Sequence, residues 1–397
     1  MRIKSFAMIL SVIVALHMVV YARPVSSQEK ILKLGSAMPL SGAASSWGVN
    51  FDRCIRKGCE DVNESGGIQL GNVRYKWQVI TYDHGYVPGR ALDVVTRLIE
   101  GDKVDFISVY GGGVQSTLLE LLGKHKMLNF AGGINMHVGS KAPLNFSSWP
   151  QANYAFWPAS QVLARLGIKT GVFVMADDEY GHAHVAGRVE QSKAVGINSV
   201  GEDFYPRGTT EFYPLLRRLL AKKPDFFDVG TGGIRDNGLL IKQAREIGFK
   251  GPMLAYAVSP MKLEEIVGKE LLENTYMLSP PFPGTPMKGE VKTILDWFVS
   301  KYGAKEYDAG GVGGYAVVEF LTKGIKDAQT IDSFKVAEAM GKISKENQME
   351  TSYGMSYIGT AGFDLPRVIT FWLNVYQFKD GKWHEIGGGW PSYEWKK

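Results

Sequence analysis

Residues 31–48 read ILKLGSAMPLSGAASSWG. The segment has the pattern of a short apolar strand, then a loop rich in Pro, Ser and Gly, then a long helix that opens at Trp47-Gly48. A strand followed by a loop whose backbone N–H groups face a cleft is a natural site for anions and small solutes. We therefore interpret this segment as part of a small-molecule site in an α/β protein.

The N-terminus has the pattern of an export signal. Arg2 and Lys4 precede an apolar run over residues 6–20, which is too short to span a bilayer, and small residues follow at Val25-Ser26-Ser27. We expect residues 1–27 to be a cleaved signal peptide and the mature chain to be periplasmic, with an uncleaved N-terminal anchor as the alternative. No cysteine lies near the cleavage zone, so a lipid-modified N-terminus is not expected.

Composition and charge narrow the class of protein. The 397 residues have room for two domain-sized units, and 45% hydrophobic with 21% charged residues is ordinary for a globular protein. The formal charge of +5 includes three basic residues of the signal. The chain has no run of Lys and Arg, so we expect no nucleic-acid partner.

The two cysteines, Cys54 and Cys59, lie in the helix predicted after Trp47. On a continuous helix an i,i+5 pair lies roughly 8 Å apart on different faces, outside disulfide reach. We predict two buried thiols, with a disulfide as the alternative if the helix breaks at Gly58. A zinc site needs more Cys or His nearby, so no metal is expected there.

Strand and helix patterns alternate along the chain, which favours parallel sheets covered by helices on both faces. Besides the first strand, the predicted strands are 73–82, 104–110, 127–131, 170–175, 199–205, 226–229 and 253–255. The predicted helices include 88–100, 115–124, 236–247, 290–302 and 314–327. Near the C-terminus, strands 368–378 and 383–386 flank Lys379-Asp380-Gly381-Lys382, a hairpin turn.

Several short motifs occur in a characteristic order and spacing: Met38-Pro39-Leu40-Ser41-Gly42 with Trp47-Gly48, residues 61–68 (DVNESGGI), Tyr82-Asp83 with Pro88 and Ala91, Asp178-Glu179-Tyr180-Gly181, and residues 242–248 (KQAREIG). In these motifs the chain resembles the periplasmic solute-binding proteins of branched-chain amino-acid ABC transporters, the leucine-binding protein type. The resemblance covers nearly the whole mature length.

The resemblance implies a type I periplasmic binding protein fold: two Rossmann-like lobes, each a doubly wound parallel sheet, joined by a three-crossover hinge. Lobe 1 would comprise residues 28–148 and 280–356, and lobe 2 residues 149–279 and 357–397. It also implies a monomer that captures a small solute as the lobes close and delivers it to an ABC transporter permease in the inner membrane. A periplasmic sensor that feeds a membrane receptor or histidine kinase is the alternative.

The resemblance also implies where the solute binds. First-lobe loops at 41–47, 111–116 and 132–135 would grip it, with Tyr180 and two further loops facing them. The candidate ligand-binding residues are Ser41, Trp47, Gly112, Gly113, Gln115, Ser116, Gly133, Asn135, Tyr180, Gly233 and Tyr256. For Trp47 and Tyr180 packing in the core is the alternative, and for the glycine loop an ordinary tight turn.

Two departures from the family weigh against an α-amino acid ligand. No Asp or Glu lies between Met253 and Met261, where the family carries an acidic partner for the ammonium group, and an aromatic position of the family aligns with Gly233. A buried ammonium without a counter-charge is costly. The sequence therefore favours a carboxylate with an aromatic or aliphatic body, or a neutral amide-like solute, over a branched-chain amino acid.

Other chemistries fit the sequence less well. Asp177-Asp178-Glu179 with His182 and His184 has weak metal-ligand spacing, and we interpret it as a solvated helix start. The glycines of 111–116 resemble a dinucleotide loop, but no acidic residue for a ribose follows within 131–136. The chain contains no Gly-x-Ser-x-Gly motif. We expect neither an enzyme nor a cofactor.

Overall fold

The computed structural model describes residues 28–134, 137–138, 142–230, 232–256, 259–359 and 367–392. The predicted signal peptide at residues 1–27 lies outside them. Within the described ranges, no helix is both long and apolar enough to cross a membrane.

The first sheet has six strands in the order β2-β3-β1-β4-β5-β6, parallel except for the β2–β3 pair. Its strands are β1 (Gln28–Met38), β2 (Ile68–Leu70), β3 (Val73–Asp83), β4 (Phe106–Val109), β5 (Asn129–Ala131) and β6 (Asn145–Ser147). Its helices are α1 (Ser45–Glu64), α2 (Pro88–Thr96) and α3 (Leu119–Lys124). Strand order reverses at β1, which lies between β3 and β4, and a crevice forms where connections leave such a point in opposite directions.

The second sheet has seven strands in the order β16-β15-β11-β10-β9-β7-β8. Its strands are β7 (Thr170–Ala176), β8 (Asn198–Tyr205), β9 (Phe226–Asp228), β10 (Met253–Tyr256), β11 (Thr275–Ser279), β15 (Leu373–Lys379) and β16 (Lys382–Gly389). Its helices are α4 (Ala152–Ala155), α5 (Trp157–Arg165), α6 (Glu179–Ala194), α7 (Tyr213–Leu220), α8 (Ile234–Glu246), α9 (Pro260–Val267) and α10 (Lys269–Leu272). Here the order reverses at β7, between β8 and β9, so this sheet has a crevice of its own.

A third part of the chain lies between β11 and β15. It contains the helices α11 (Gly289–Tyr302), α12 (Gly313–Ala328) and α13 (Ser333–Gly341). A small antiparallel sheet follows, made of β12 (Met349–Thr351), β13 (Gly354–Ile358) and β14 (Ile369–Phe371). Helix α12 packs on α1, so this part of the chain covers the first sheet.

Helix α1 forms because its apolar and small residues recur at helical spacing. Gly48, Phe51, Ile55 and Cys59 are buried on one face, at intervals of three or four residues. The helix continues through Gly58, and both cysteines are buried free thiols, as predicted.

One predicted element is wrong. The apolar run 368–378 is not a single strand, because β14 pairs in the small sheet while β15 pairs with β11 and β16. Trp372 lies between β14 and β15, where the chain passes from one sheet to the other, and its side chain is 45% exposed. The hairpin turn at Asp380-Gly381 is confirmed, with φ values of 51° and 76° that suit a tight two-residue connection.

The α/β class with two doubly wound sheets is confirmed. The proposed division of the chain into lobes at residues 148, 279 and 356 stays a prediction.

Candidate ligand-binding site

Loops at the carboxyl ends of strands from both large sheets line one cavity, whose space of about 540 Å³ includes a part that is open to solvent. The lining residues are Trp47, Tyr86, Tyr110, Gly111, Gly112, Gly132, Gly133, Ile134, Trp149, Tyr180, Tyr256, Asp308 and Gly310. Most follow strands of the first sheet, whereas Tyr180 and Tyr256 belong to the second.

The glycine loop after β4 lets aromatic rings come close to the backbone. A Cβ on Gly111, where φ is 116°, would lie 2.6 Å from Cε2 of Tyr86. A Cβ on Gly112 would lie 2.8 Å from the carbonyl oxygen of Ile134 and 3.2 Å from Cδ2 of Tyr180. Glycine is therefore needed here so that rings from both sheets can form the walls of the cavity.

Most backbone amides of the glycine loops are already hydrogen-bonded inside the protein. The bonds run from Gly111 N to Gly132 O (3.1 Å), Gly113 N to the Tyr86 hydroxyl (3.3 Å), Gly132 N to Val109 O (2.9 Å) and Gly133 N to Ser148 Oγ (2.9 Å). The predicted helix 115–124 also begins only at Leu119, after two short 3₁₀ turns. These loops consequently have fewer free backbone amides with which to bind an anion than the sequence pattern indicated.

Aromatic side chains form the walls. Trp149 and Tyr256 pack edge to face with ring centroids 5.8 Å apart, and Nε1 of Trp149 donates a hydrogen bond to the Tyr256 hydroxyl. Trp47 lies 6.4 Å from Tyr110, centroid to centroid. Such a cavity can hold an apolar body between flat rings.

Asp308 supplies the charge of the cavity. The residue is only 3% exposed; Oδ1 accepts a 2.9 Å hydrogen bond from the Gly310 amide, and buried Oδ2 has no hydrogen-bond partner among the described residues. Burial raises the pKa of Asp308 to about 7, against the opposing effects of the Gly310 amide, Lys262 and the Gly311 amide. A carboxylate in this state is poorly solvated and gains from any donor brought to it.

The lining residues include no Lys, Arg or His. Lys262 acts on Asp308 electrostatically, but its Nζ lies 3.2 Å from Oε2 of Glu306. The electrostatic character of the cavity is therefore negative once Asp308 ionises.

A model of the periplasmic binding protein family matches residues 31–361. The chain belongs to this family. A curated relative, an amino acid binding protein of Pseudomonas aeruginosa, is 24% identical over 366 residues, covering 89% of this chain and 92% of its own.

Solved structures have the same fold as this periplasmic binding protein. A leucine binding protein, LivK, of Thermotoga maritima has a TM-score of 0.76 at 20% identity, covering 91% of this chain and 99% of its own. An ABC transporter solute binding protein of R. palustris in complex with 4-hydroxybenzoate has a TM-score of 0.77 at 19% identity, covering 92% and 99%. The family is extracytoplasmic, and these neighbours bind solutes.

Several predicted site residues of this periplasmic binding protein line the cavity: Trp47, Gly112, Gly133, Tyr180 and Tyr256. Gly233 lies beside it, in a hollow that also contains Trp47, Tyr86 and Arg207. Asn135 lies outside the described residues.

Four other predicted residues are not in the lining. Ser41 is exposed and donates a 2.6 Å hydrogen bond to Oδ2 of Asp83, and Ser116 is exposed on a 3₁₀ turn. Gln115 is buried, with Nε2 donating to the carbonyl oxygens of Val109 (2.9 Å) and Gly111 (3.3 Å), so its amide holds the glycine loop rather than a solute. Gly113 likewise donates its amide to the Tyr86 hydroxyl.

Four further residues of the lining were not predicted from the sequence: Tyr86, Tyr110, Trp149 and Asp308. A usable signal existed for the first three, since each closely follows the end of a strand in the first sheet, the edge where parallel strands gather functional groups. Asp308 follows no strand and precedes α12, so only the packing of α12 onto α1 brings it to the cavity.

The acidic and histidine side chains that follow β7 form hydrogen bonds and ion pairs with residues of the helices and loops around the second sheet. Asp178 caps α6, because its Oδ1 accepts a 2.8 Å hydrogen bond from the Gly181 amide. Its other oxygen, Oδ2, accepts from Nε of Arg207 at 2.7 Å. Nε2 of His182 lies 2.8 Å from Oδ1 of Asp177. His184 is buried, which lowers its pKa and keeps the ring neutral. Among the described residues no group of three or more Cys, His, Asp or Glu is placed to hold a metal.

Proposed function

We propose that this protein is the extracytoplasmic solute-binding component of an ABC importer, capturing a small solute between two lobes and delivering it to an inner-membrane permease. The observation that carries this is one cavity lined by loops of both large sheets. The fold shared with solute-binding proteins supports it.

Closure follows from the two-sided lining. A solute among Trp47, Tyr110 and Asp308 reaches Tyr180 and Tyr256 only when the two sheets lie as close as they do here. It therefore binds the closed arrangement more tightly and shifts the population towards it. We propose that the protein acts as a monomer, without a cofactor and without catalysis.

The solute class is narrowed by hydrogen bonding. The sequence favoured a carboxylate or an amide-like solute, and two solved neighbours hold benzoate and 4-hydroxybenzoate. Here, however, four amides of the glycine loops are engaged within the protein, and the lining has no basic side chain. Both observations support a solute that donates hydrogen bonds over one held by its carboxylate.

Thermal unfolding and small-angle scattering test capture and closure together. The panel comprises leucine, isoleucine, phenylalanine, benzoate, 4-hydroxybenzoate, benzamide and benzylamine. We expect at least one compound to raise Tm and reduce the radius of gyration, since ligand at 100 times its Kd stabilises by about 2.7 kcal/mol. A rise in Tm without compaction contradicts closure, and a panel without any response contradicts the proposed capture.

Delivery is tested in the cell. Disrupting the gene should abolish uptake of the compound that gives the largest rise in Tm. If uptake is unchanged but the transcriptional response to the compound is lost, the protein is a sensor rather than part of an importer.

A further inference from the structure

Asp308 is an unusual residue for the wall of a cavity whose other side chains are aromatic or aliphatic. The residue is 3% exposed, and Oδ2 is buried without a hydrogen-bond partner among the described residues. Leaving a buried acceptor unpaired destabilises the fold, and more so when the acceptor is charged. A partner that arrives with the solute would remove that penalty.

The groups facing Asp308 do not supply such a partner. The titratable groups that interact with it are Tyr110, Tyr307, Tyr353 and Lys262. Lys262 forms an ion pair with Glu306, and the Tyr307 hydroxyl donates to the carbonyl oxygen of Pro281. The Gly310 amide donates to Oδ1, and the neighbouring Gly311 amide also lowers the pKa of the carboxyl, so Oδ2 has backbone amides near it but no paired side-chain counter-charge among the described residues. The charge of Asp308 is thus left for something that enters the cavity.

The rest of the wall is suited to a cation. Six of the lining residues are aromatic: Trp47, Tyr86, Tyr110, Trp149, Tyr180 and Tyr256. The faces of such rings attract an ammonium group, and more strongly when it is desolvated. Neutral aliphatic carbon next to the nitrogen packs on the same rings.

We propose that the solute is a small organic cation whose protonated amine donates a hydrogen bond to Oδ2 of Asp308, with its carbon body lying among the aromatic rings. This inference rests on the proposed function, because it names the solute class of the same cavity. The counter-charge for an ammonium group then comes from the turn before α12, rather than from the 253–261 segment to which the family resemblance assigns it.

A carboxylate fits this cavity less well. A second negative charge beside the ionised form of Asp308 raises the energy of both, and no basic side chain in the lining offsets it. A neutral donor such as an alcohol can reach Oδ2 but gains nothing from the ring faces as a cation does.

Probes of matched carbon skeleton distinguish a cationic solute from a neutral hydrogen-bond donor and from a carboxylate. The set consists of benzylamine, benzyl alcohol and benzoate; isopentylamine, isopentanol and isovalerate; and cyclohexylmethylamine, cyclohexylmethanol and cyclohexanecarboxylate. Affinities are measured by calorimetry and by the rise in Tm. In at least one trio we expect the amine to bind about tenfold or more tightly than the alcohol, and the acid to bind weakest.

The decisive variant is Asp308→Asn, which keeps an oxygen to accept from the Gly310 amide while removing the charge. It should weaken amine binding about tenfold or more and leave the alcohol within about twofold. The matched control is Asp105→Asn, which also removes a carboxylate. Asp105 lies just before β4, at the end of the first sheet opposite the cavity, and accepts a hydrogen bond from the Lys33 amide. The control should bind amines as the wild type does.

Each result supports or overturns the assignment. Acids binding more tightly than amines, or unchanged amine affinity in Asp308→Asn, would overturn the assignment to a cation while leaving solute capture intact. Binding by alcohols and amines alike, lost together in Asp308→Asn, would reassign the site to neutral donors. No binding by any probe of this set would overturn the cation assignment, and the amino-acid and aromatic-acid panel above would then decide separately whether the cavity captures solutes.

Discussion

Asp308 is buried in a cavity whose other lining side chains are aromatic or aliphatic. The low exposure penalises its charged form, so the proton affinity of Asp308 differs between the folded and unfolded chain. That difference links the stability of the solute-free protein to pH, independently of which solute binds.

The contribution of Asp308 to the stability of the solute-free protein should fall as pH rises from about 4 to about 7. The pKa of Asp308 is about 7 in the fold against an ordinary value of 3.8, so between these values the native state holds a proton that the unfolded chain has lost. Stability from this group is thus complete below its unfolded pKa and lost as pH passes the folded pKa. Asp308→Asn should remove the part of the loss that this group causes, making the variant more stable relative to wild type at pH 8 by roughly 2–4 kcal/mol. The loss from buried Glu319, whose pKa is raised to about 8, should remain in both proteins.

Urea unfolding at pH 5 and pH 8 measures this difference. Asp296→Asn, at an exposed position paired with Lys292 on α11, serves as the control and should follow the wild type. If wild type and Asp308→Asn change in parallel between the two pH values, Asp308 is not the group responsible.

Trp47 lines the cavity at the start of α1 and should contribute affinity through its area. Trp47→Ala is expected to weaken binding of the panel compound with the largest rise in Tm about tenfold to hundredfold, since burying an aromatic side chain contributes about 1.5–3 kcal/mol. Calorimetric titration gives the ratio. The control is Trp372→Ala, which removes a 45% exposed indole away from the cavity and should leave affinity unchanged. Equal affinities for Trp47→Ala and the wild type would remove Trp47 from the site.

Helices α1 and α12 approach closely because glycines lie between them. A Cβ on Gly314 would lie 2.1 Å from the carbonyl oxygen of Phe51 and 3.0 Å from the amide nitrogen of Ile55. A Cβ on Gly58 would lie 3.0 Å from Cβ of Val318. Since Asp308 and Gly310 immediately precede α12, the spacing of these helices also sets one wall of the cavity.

Gly314→Ala should therefore force the two helices apart. The clash is with backbone, which has no rotamer to change, so we expect a loss of about 2–4 kcal/mol in the free energy of unfolding, measured in urea. Gly89→Ala is the matched control: Gly89 lies in α2, a Cβ there would meet no neighbouring element within 4 Å, and alanine should stabilise by up to about 1 kcal/mol. Equal free energies of unfolding for the two variants would show that α1 and α12 can move apart at little cost.

Arg207 connects the two large sheets beside the cavity. It is held by Asp178, whose Oδ2 accepts from Nε at 2.7 Å, and its Cζ lies 4.9 Å from the ring centroid of Tyr86. Arg207 and Asp178 follow strands of the second sheet, whereas Tyr86 follows β3 of the first. The contact is thus available only while the sheets are close, so it would favour the proposed closed arrangement.

Arg207→Ala should shift the protein towards an open form. We expect a larger radius of gyration without solute and an affinity about 2-fold to 30-fold weaker, the equivalent of a cation–π contact of about 0.5–2 kcal/mol. Small-angle scattering and calorimetry measure the two effects. Arg218→Ala, which removes a largely exposed arginine paired with Asp203, should change neither. An unchanged radius and affinity in Arg207→Ala would exclude a role for this contact in closure.

Local patterns in the sequence were enough to place many elements of the molecule. Apolar runs and alternation place β1, β3, β7 and β8 to within a few residues, and helical spacing places α1, because these signals depend on neighbours only a few positions away. The order of elements along the chain was then enough to predict parallel sheets covered by helices, and the family resemblance predicted two such sheets, each doubly wound. Trp47, Tyr180 and Tyr256 were predicted through the family resemblance, and all three line the cavity.

Which side chains meet depends instead on contacts between distant parts of the chain. The run 368–378 is divided between two sheets because β13 and β11, far from each other along the chain, pair with its two halves. Gln115 supports a loop because its amide meets backbone carbonyls, which no residue pattern records. Asp308 reaches the cavity through the packing of α12 on α1, and its altered acidity follows from desolvation, a property of the surroundings rather than of the local sequence.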